Sequence, residues 1–303
     1  MISSTDLQER MTELIRRTVC TLPENSKRAL SRAYALEEEG SVGQAHLMTT
    51  LKNLALSEKY DIPLCADTGL PVFFLRVGHG CYDLPLIEEA LTASVREATK
   101  KGYIRPNAVT PMGRKNPGDN CGRHSPVFEW RVDGDIDYIE ISYVPKGGGT
   151  EIFGPSFRTI LVADGLAGVK RFVYDSIVVN GNRTGETCPP NVIGVGIGGT
   201  SELCMALSKQ AACLRPIGSR HPDPHLAALE QELYEVLNES GLGPLGMGGR
   251  TTVLDVHVEW AMTHLVGTLV AVSAQCPAAR IGTIRLYEDG HMEEVSWPGW
   301  FAY

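Results

Sequence analysis

The sequence predicts an α+β fold, or a mixed α/β one, with a helical N-terminal subdomain over residues 1–60 and a sheet-and-helix body over residues 61–303. Three observations carry this reading. Leu7, Met11, Leu14 and Ile15 recur at the spacing of one helix face. TTVLDVHVEWAM and GTLVAVSAQ are β-branched runs that read as strands, and AALEQELYEVLNES returns to the helical period.

Each element follows from local chemistry. A second helix follows Pro23 through ALSRAYALEEE, and Ser41 with Gln44 forms a capping-box start for a third, whose Leu47, Leu51 and Leu54 make a packing stripe. At IPLCADTGLPVFFLRVG the pattern changes, a turn-rich CADTG leading into the apolar strand VFFLRV. LPLIEEALTASVREATKK reads as a helix opened by Asp83 and Pro85 and closed by Gly102, with lysines in the last turn where the helix dipole favours them. Beyond it DYIEISYVP is a strand, GGGT a backbone-exposing turn, GVKRFVYDSIVVN a mixed segment, and VIGVGIGG a buried strand and turn.

Composition narrows the function. With 303 residues, 43% hydrophobic and 21% charged, the chain can bury a sizeable core. Its formal charge of -8 argues against nucleic acid or an anionic membrane as partner. No apolar run reaches the roughly 20 residues that span a bilayer, and MISSTDLQERMTELIRR has neither an h-region nor a cleavage site, so a cytoplasmic protein is expected. The cysteines at 20, 65, 81, 121, 188, 204, 213 and 276 are scattered and include no CxxC pair. A metal centre would have to be assembled from distant ones.

Gly194, Gly196 and Gly199 satisfy G-x-G-x-x-G between an apolar run and the helix-like SELCMALSKQA. A dinucleotide site also needs an acidic residue about 20 positions on, and there the chain reads CLRPIGSRHPDP, basic and broken by proline. The glycines still open a helix whose N–H groups suit an anion. Five loops join permissive backbone to reactive side chains: CADTG at 65–69, IRPN at 104–107, KGGGT at 146–150, CPP with GIGG, and the segment from MTHL to CPAAR. Each alone has a plain reading, with Asp67 in an Asx turn, Arg105 solvated and Gly147 to Gly149 a simple turn. Five in one chain favour a site.

CADTG, KGGG, CPP followed by GIGGTSE, LRPIGSRHP and the final C-x-x-x-R, in this order over nearly the whole chain, resemble the class I, iron–sulfur-dependent fumarate hydratases. The resemblance is to their separate α subunit or N-terminal domain, a type that also occurs in L-tartrate dehydratase. It implies that Cys65, Cys188 and Cys276 hold a 4Fe-4S cluster with one iron open, acting as a Lewis acid. It further implies catalytic positions at Asp67 and His264, and substrate-binding positions at Arg105, whose planar fork suits a carboxylate, and at Gly147, Gly148 and Gly149. Cys20, Cys81, Cys121, Cys204 and Cys213 match no ligand position and are expected to be buried thiols. His257 is expected to be a satisfied strand histidine. Arg215, Arg220 and His221 either line the site or hold their loop.

The implied reaction is a reversible hydration of a small dicarboxylic acid, fumarate and malate first, tartrate or a substituted malate next. KGGG and GIGGT look closer to fumarases than to tartrate dehydratases. Ala66 replaces the glutamine usual after the first cluster cysteine, which removes an amide that could meet the substrate. After Arg280 only IGTIRLYEDGHMEEVSWPGWFAY remains, whereas single-chain relatives continue into a domain that carries the base; a separate β subunit, and hence a hetero-oligomer, is expected. Two competing readings are a non-catalytic, cluster-dependent regulatory module of the same fold and a dinucleotide-dependent oxidoreductase. Cys65, Cys188 and Cys276 together with Asp67, Arg105 and His264 favour catalysis, because a bare scaffold has no need of the set.

Overall fold

Three helices open the chain where the apolar spacing places them. Helix α1 (Ser4–Cys20) is capped by Ser3, whose hydroxyl accepts the Asp6 N–H at 3.4 Å, and it buries Leu7, Met11, Leu14 and Ile15. Helix α2 (Glu24–Leu36) follows Pro23, and α3 (Val42–Tyr60) begins after Ser41, whose hydroxyl accepts the Gln44 N–H at 3.1 Å. Gln44 returns a bond to the Gly40 N–H at 2.9 Å, one residue earlier than a standard capping box.

The computed structural model describes residues 3–80 and 82–301 of this α+β chain, which forms two units, each with its own sheet. The helical start is divided between them: α1 belongs to the first unit, α2 and the beginning of α3 to the second.

Residues 3–23, 53–147 and 280–301 make the first unit. Its strands are β1 (Leu70–Val77), β2 (Val127–Val132), β3 (Tyr138–Lys146), β8 (Gly282–Tyr287) and β9 (Met292–Val295), in the order β2-β1-β3-β8-β9, with only β1 and β2 parallel. Against one face lie α1 and α4 (Leu84–Lys100), which enclose Phe73, Leu75, Ile141, Tyr143 and Ile284. Asp83 caps α4 by accepting the Leu86 N–H at 3.0 Å, and Gly102 lies beyond its end at φ +76°. On the other face Trp300 meets Phe74 edge to face at 5.6 Å. The buried Arg76 donates to the Gly299 carbonyl, Glu140 accepts the Gly299 N–H at 2.8 Å, and Arg131 donates to the Trp300 carbonyl at 2.7 Å. The segment after Arg280 is therefore a hairpin and latch that complete this sheet.

Residues 24–52 and 148–279 make the second unit. Strands β4 (Ser156–Leu161), β5 (Asn191–Ile197), β6 (Val253–Trp260) and β7 (Gly267–Gln275) run in the order β4-β7-β5-β6, with β5 and β6 parallel. Helix α5 (Gly165–Tyr174) and helix α7 (Pro224–Glu239) contribute Val169, Phe172, Val173, Leu229, Leu233 and Leu237 to its core. Helix α6 (Ser201–Leu214) lies directly on β5, because a methyl at Gly194 would sit 2.0 Å from the Ser208 carbonyl oxygen and one at Gly196 2.2 Å from that of Cys204. Two of the three fingerprint glycines thus belong to the strand and exist for close helix packing. Gly198 and Gly199, at φ +82° and +75°, make the turn.

Candidate functional site

In the first unit the CADTG turn is built on hydrogen bonds. Asp67 accepts the Gly69 N–H at 2.9 Å through its carboxylate, an Asx turn, and Gly69 is required because a side chain there would lie 2.7 Å from the backbone of Pro145, just before the glycine run. The Thr68 hydroxyl accepts the Arg105 N–H at 2.8 Å, and the Asn107 amide donates to Asp67 at 3.3 Å and to the Gly69 carbonyl at 3.2 Å. The fully buried Asn120 supports IRPN by accepting from Asn107 and Ala108 at 2.7 and 3.1 Å and donating to the Arg105 carbonyl at 3.0 Å. Asp67 and Arg105 are thereby brought into one bonded cluster. Cys65, Ala66 and the Arg105 side chain face solvent, and Gly147 is buried at the end of β3.

In the second unit Cys188 and Cys276 share an end of the sheet. Val192 is opposite Gln275, so the approach to β5 and the exit from β7 lie together. Cys188 is held at φ +56°, a left-handed conformation that costs a non-glycine residue about 1–2 kcal/mol. Around it Asn191 donates to the carbonyls of Thr187 and Cys188 at 2.8 and 3.3 Å, and Thr187 donates to Asn182. Gly149 begins a wide helical turn, Gly149–Phe153, and its missing side chain admits the Glu186 carbonyl, 2.1 Å from where a Cβ would stand. The glycine run, expected as a backbone-exposing turn, is packed in part: Gly148 and Gly149 are half-buried, and Gly149 abuts the loop that carries Cys188.

His264 lies elsewhere. It follows β6 and precedes β7, at the end of the sheet where β5 terminates, so the length of β5 separates it from Cys188 and Cys276 by roughly 20 Å. Its ring is exposed and accepts the Val266 N–H at 3.3 Å, among outward-facing Met262, Leu265 and Val266. Arg215, Arg220 and His221 hold their loop. Arg215 pairs with Glu230 at 2.5 Å and Glu259 at 3.2 Å, and Arg220 with Asp255 at 2.7 Å, while the Asp223 N–H donates to His221 at 3.0 Å. Burial, joined by the charge of Arg215, holds His221 below its ordinary pKa. His257 is buried and satisfied, touching the Ala211 carbonyl at 3.1 Å and Asp255 at 3.2 Å. Burial works to raise the pKa of Asp255, but the bonds from His257 and the Gly218 N–H, with the charge of Arg220, prevail and bring it down to about 2.

Sequence reasoning missed Thr68, Asn107 and Asn120 in the first unit and Asn182, Thr187 and Asn191 in the second. One signal was legible for Asn120: it sits at φ +62°, a region that asparagine tolerates, at the end of the turn-rich NPGDN. A cleft of about 500 Å³ between α4 and β2, lined by Glu88, Arg96, His124 and Trp130 among others, contains none of the candidate site residues.

Comparison with known proteins now decides the family. A family model described as fumarate hydratase (Fumerase) matches residues 8–285. The chain belongs to the fumarate hydratase family. It is 38% identical over 259 residues to the L(+)-tartrate dehydratase subunit alpha of Escherichia coli K12, covering 86% of this chain and 84% of that one. A protein of Methanocaldococcus jannaschii, provisionally named L(+)-tartrate dehydratase subunit alpha, is 37% identical over 283 residues, 92% of this chain and 97% of its own length. The Shigella boydii L(+)-tartrate dehydratase subunit alpha is 38% identical over 259 residues, with 86% and 84% covered. Among the described residues of this fumarate hydratase family member no helix is long and apolar enough to cross a membrane.

The family's cluster can be tested against the thiols present. Among the described cysteines, Cys20, Cys121, Cys204 and Cys213 are buried, whereas Cys65 and Cys188 are exposed and Cys276 is intermediate, and all seven are outside disulfides. Cys81 lies outside the described residues. Burial pushes the thiols of Cys20, Cys121 and Cys204 up to about 11, which suits neutral packing groups better than metal ligands. The accessible set is the set that matches the family's ligands, and three thiols are the donor chemistry an iron–sulfur cluster takes. In donor chemistry the three thiols suit the group, while among the described residues no three metal-ligating side chains stand together.

Proposed function

We propose that this chain is the α component of a cytoplasmic, cluster-dependent hydro-lyase that removes water from, or adds it to, a C4 dicarboxylic acid, and that Cys65, Cys188 and Cys276 hold the 4Fe-4S cluster. The observation that carries this reading is the partition of the thiols: the three at the family's ligand positions are accessible, one of them in a strained backbone conformation, while the other described thiols are core groups. When bound, the cluster supplies a Lewis-acidic iron that weakens the C–O bond to the substrate hydroxyl. The chain's own residues bind and orient. Arg105 presents its fork to a substrate carboxylate, its backbone fixed by Thr68 and Asn120. Asp67, oriented by the Gly69 N–H and Asn107, accepts a hydrogen bond from the substrate hydroxyl. The names of the relatives as alpha subunits support a separate β subunit, which would bring the base for the C3 proton.

His264 stands across the sheet from Cys188 and Cys276, and its part in the reaction is to serve the site of a second copy of the chain. Met262, Leu265 and Val266, 84%, 85% and 69% exposed, give that loop the apolar character of a contact surface.

L(+)-tartrate, the substrate named in the relatives, stands beside malate as the first compound to assay. The test is anaerobic co-expression with the β subunit, followed by iron and acid-labile sulfide analysis and assays on tartrate, malate and fumarate. The proposal expects a brown complex with hydratase activity in the mixture alone, and loss of iron in Cys188→Ser but not Cys204→Ser. Equal iron in both variants would overturn the ligand set, and a brown complex inert toward all three acids would overturn the activity.

A further inference from the structure

Arg280, four residues beyond Cys276, is the largest of the fully buried side chains, 1% exposed, within the first unit. One N–H, on Nη2, donates to the Asp67 carbonyl at 3.1 Å. Its Nε and Nη1 have no partner, and it forms no ion pair among the described residues. Nearby groups do not neutralise it. The Tyr143 phenol, fully buried and equally without a partner, is pushed above its ordinary range by burial while the Arg280 charge pulls it back, and burial likewise raises the Cys20 thiol against the same charge. A guanidinium keeps its charge inside a protein. An uncompensated buried charge costs several kcal/mol, and each donor left without an acceptor adds to that. The Asp67 carbonyl is a dipole and satisfies one donor only. An arginine in this condition is designed for a negative group that arrives later, and the side chain is already fastened to the turn that carries Cys65.

We propose that Arg280 is the counter-charge and positioning residue for the anionic assembly bound at the CADTG turn: it fixes Asp67 with one N–H and reserves its charge and two further donors for the cluster–thiolate group. This rests on the cluster reading above, since a cluster held by three thiolates is net negative and its potential responds to buried charge and to hydrogen bonds.

The experiment uses the full chain, as wild type, Arg280→Lys and Arg280→Gln, loaded anaerobically with iron and sulfide. Iron and acid-labile sulfide are measured after desalting, the midpoint potential is measured by dithionite titration, and melting is measured on the metal-free chains. Arg280→Gln should hold its iron and sulfide roughly ten-fold more weakly, and the cluster it retains should reduce at a more negative potential. Arg280→Lys, which keeps the charge and a donor, should restore both. Metal-free Arg280→Gln should melt no lower than metal-free wild type, because removing an uncompensated buried charge relieves the resting fold. The inference falls alone if the wild type loads and Arg280→Gln matches it in iron, sulfide and potential, or if metal-free Arg280→Gln melts well below wild type, as a purely structural arginine would require. A wild-type chain that takes up neither iron nor sulfide overturns the cluster reading and this inference with it.

Discussion

Gly194→Ala tests whether the glycine pattern in β5 serves packing or a ligand. The added methyl would lie 2.0 Å from the Ser208 carbonyl oxygen, 2.5 Å from the Ala212 nitrogen and 2.9 Å from the Ala212 Cβ, all on α6 and two of them backbone atoms that no rotamer change can move. Since non-bonded carbon contacts settle near 3.5 Å, α6 must retreat from the sheet by more than about 1 Å. That retreat opens the buried seam that Cys204, Ser208, Ala211 and Ala212 form with β5 and β7. Overpacking of this kind costs about 3 kcal/mol, which in a unit of this size lowers the melting temperature by roughly 8 °C. Gly241→Ala is the control. It lies beyond the end of α7 at φ +67° with nothing within 4 Å of the new methyl, so it carries only a left-handed backbone penalty of about 1 kcal/mol. Thermal melts of the metal-free chain followed by circular dichroism, with NAD(P) titrated into the wild type, complete the assay. A Gly194→Ala chain that melts within a degree or two of wild type, or wild-type binding of NAD(P), would refute the packing argument.

Three further outcomes are expected. Asp255 has a folded pKa of about 2 against an ordinary 3.8, so its carboxylate contributes roughly 2 kcal/mol above pH 4 that disappears as the pH falls toward 2; urea titrations should find wild type more stable than Asp255→Asn at pH 7 and the gap closing below pH 4, and a gap independent of pH would refute the assignment. Asn120→Ala removes the bonds to Asn107, Ala108, Thr99 and the Arg105 carbonyl; it should cost about 3 kcal/mol and raise KM for the dicarboxylate more than it lowers kcat, which steady-state kinetics will measure. If His264 serves a neighbouring copy, refolding Cys188→Ser with His264→Ala, each inactive alone, should restore about a quarter of the activity by random pairing, and no recovery would refute the sharing of a site between copies.

Much of the fold was written in local chemistry. The Leu7 to Ile15 face, the Asp83 and Pro85 start of α4, and the VFFLRV strand needed only periodicity and caps. Strands β2 and β4 escaped because their side chains are largely exposed and give no clean alternation. The C-terminal hairpin carried a legible signal, Asp289 before Gly290 at φ +93°, in a segment that followed the last recognised motif. An apolar helix face states that a helix will pack and not upon which sheet, so the assignment of α1 and α2 to different units was beyond pattern reading. At the candidate site, reactive residues were visible as types in permissive loops. The roles of the residues that join them were not, because Thr68, Asn120 and Arg280, though they stand in quoted motifs or a turn-rich stretch, act through burial and distance. The place of His264 depended on strand order, which the sequence does not state.

The outer border of β6 has a consequence for how the molecule behaves in a crowd. Asn238 engages both backbone groups of Val253, the Asp255 carboxylate takes the Val256 N–H, Glu230 takes the Val258 N–H, and Arg215 reaches the Val258 carbonyl. A strand from another molecule finds those positions already occupied. The opposite border, β4, carries exposed Phe157 and Leu161 and, among the described residues, has no such cover. Any sheet-to-sheet growth of this unit in concentrated solution should therefore begin at β4, and a lysine introduced at Phe157 would be the economical way to stop it.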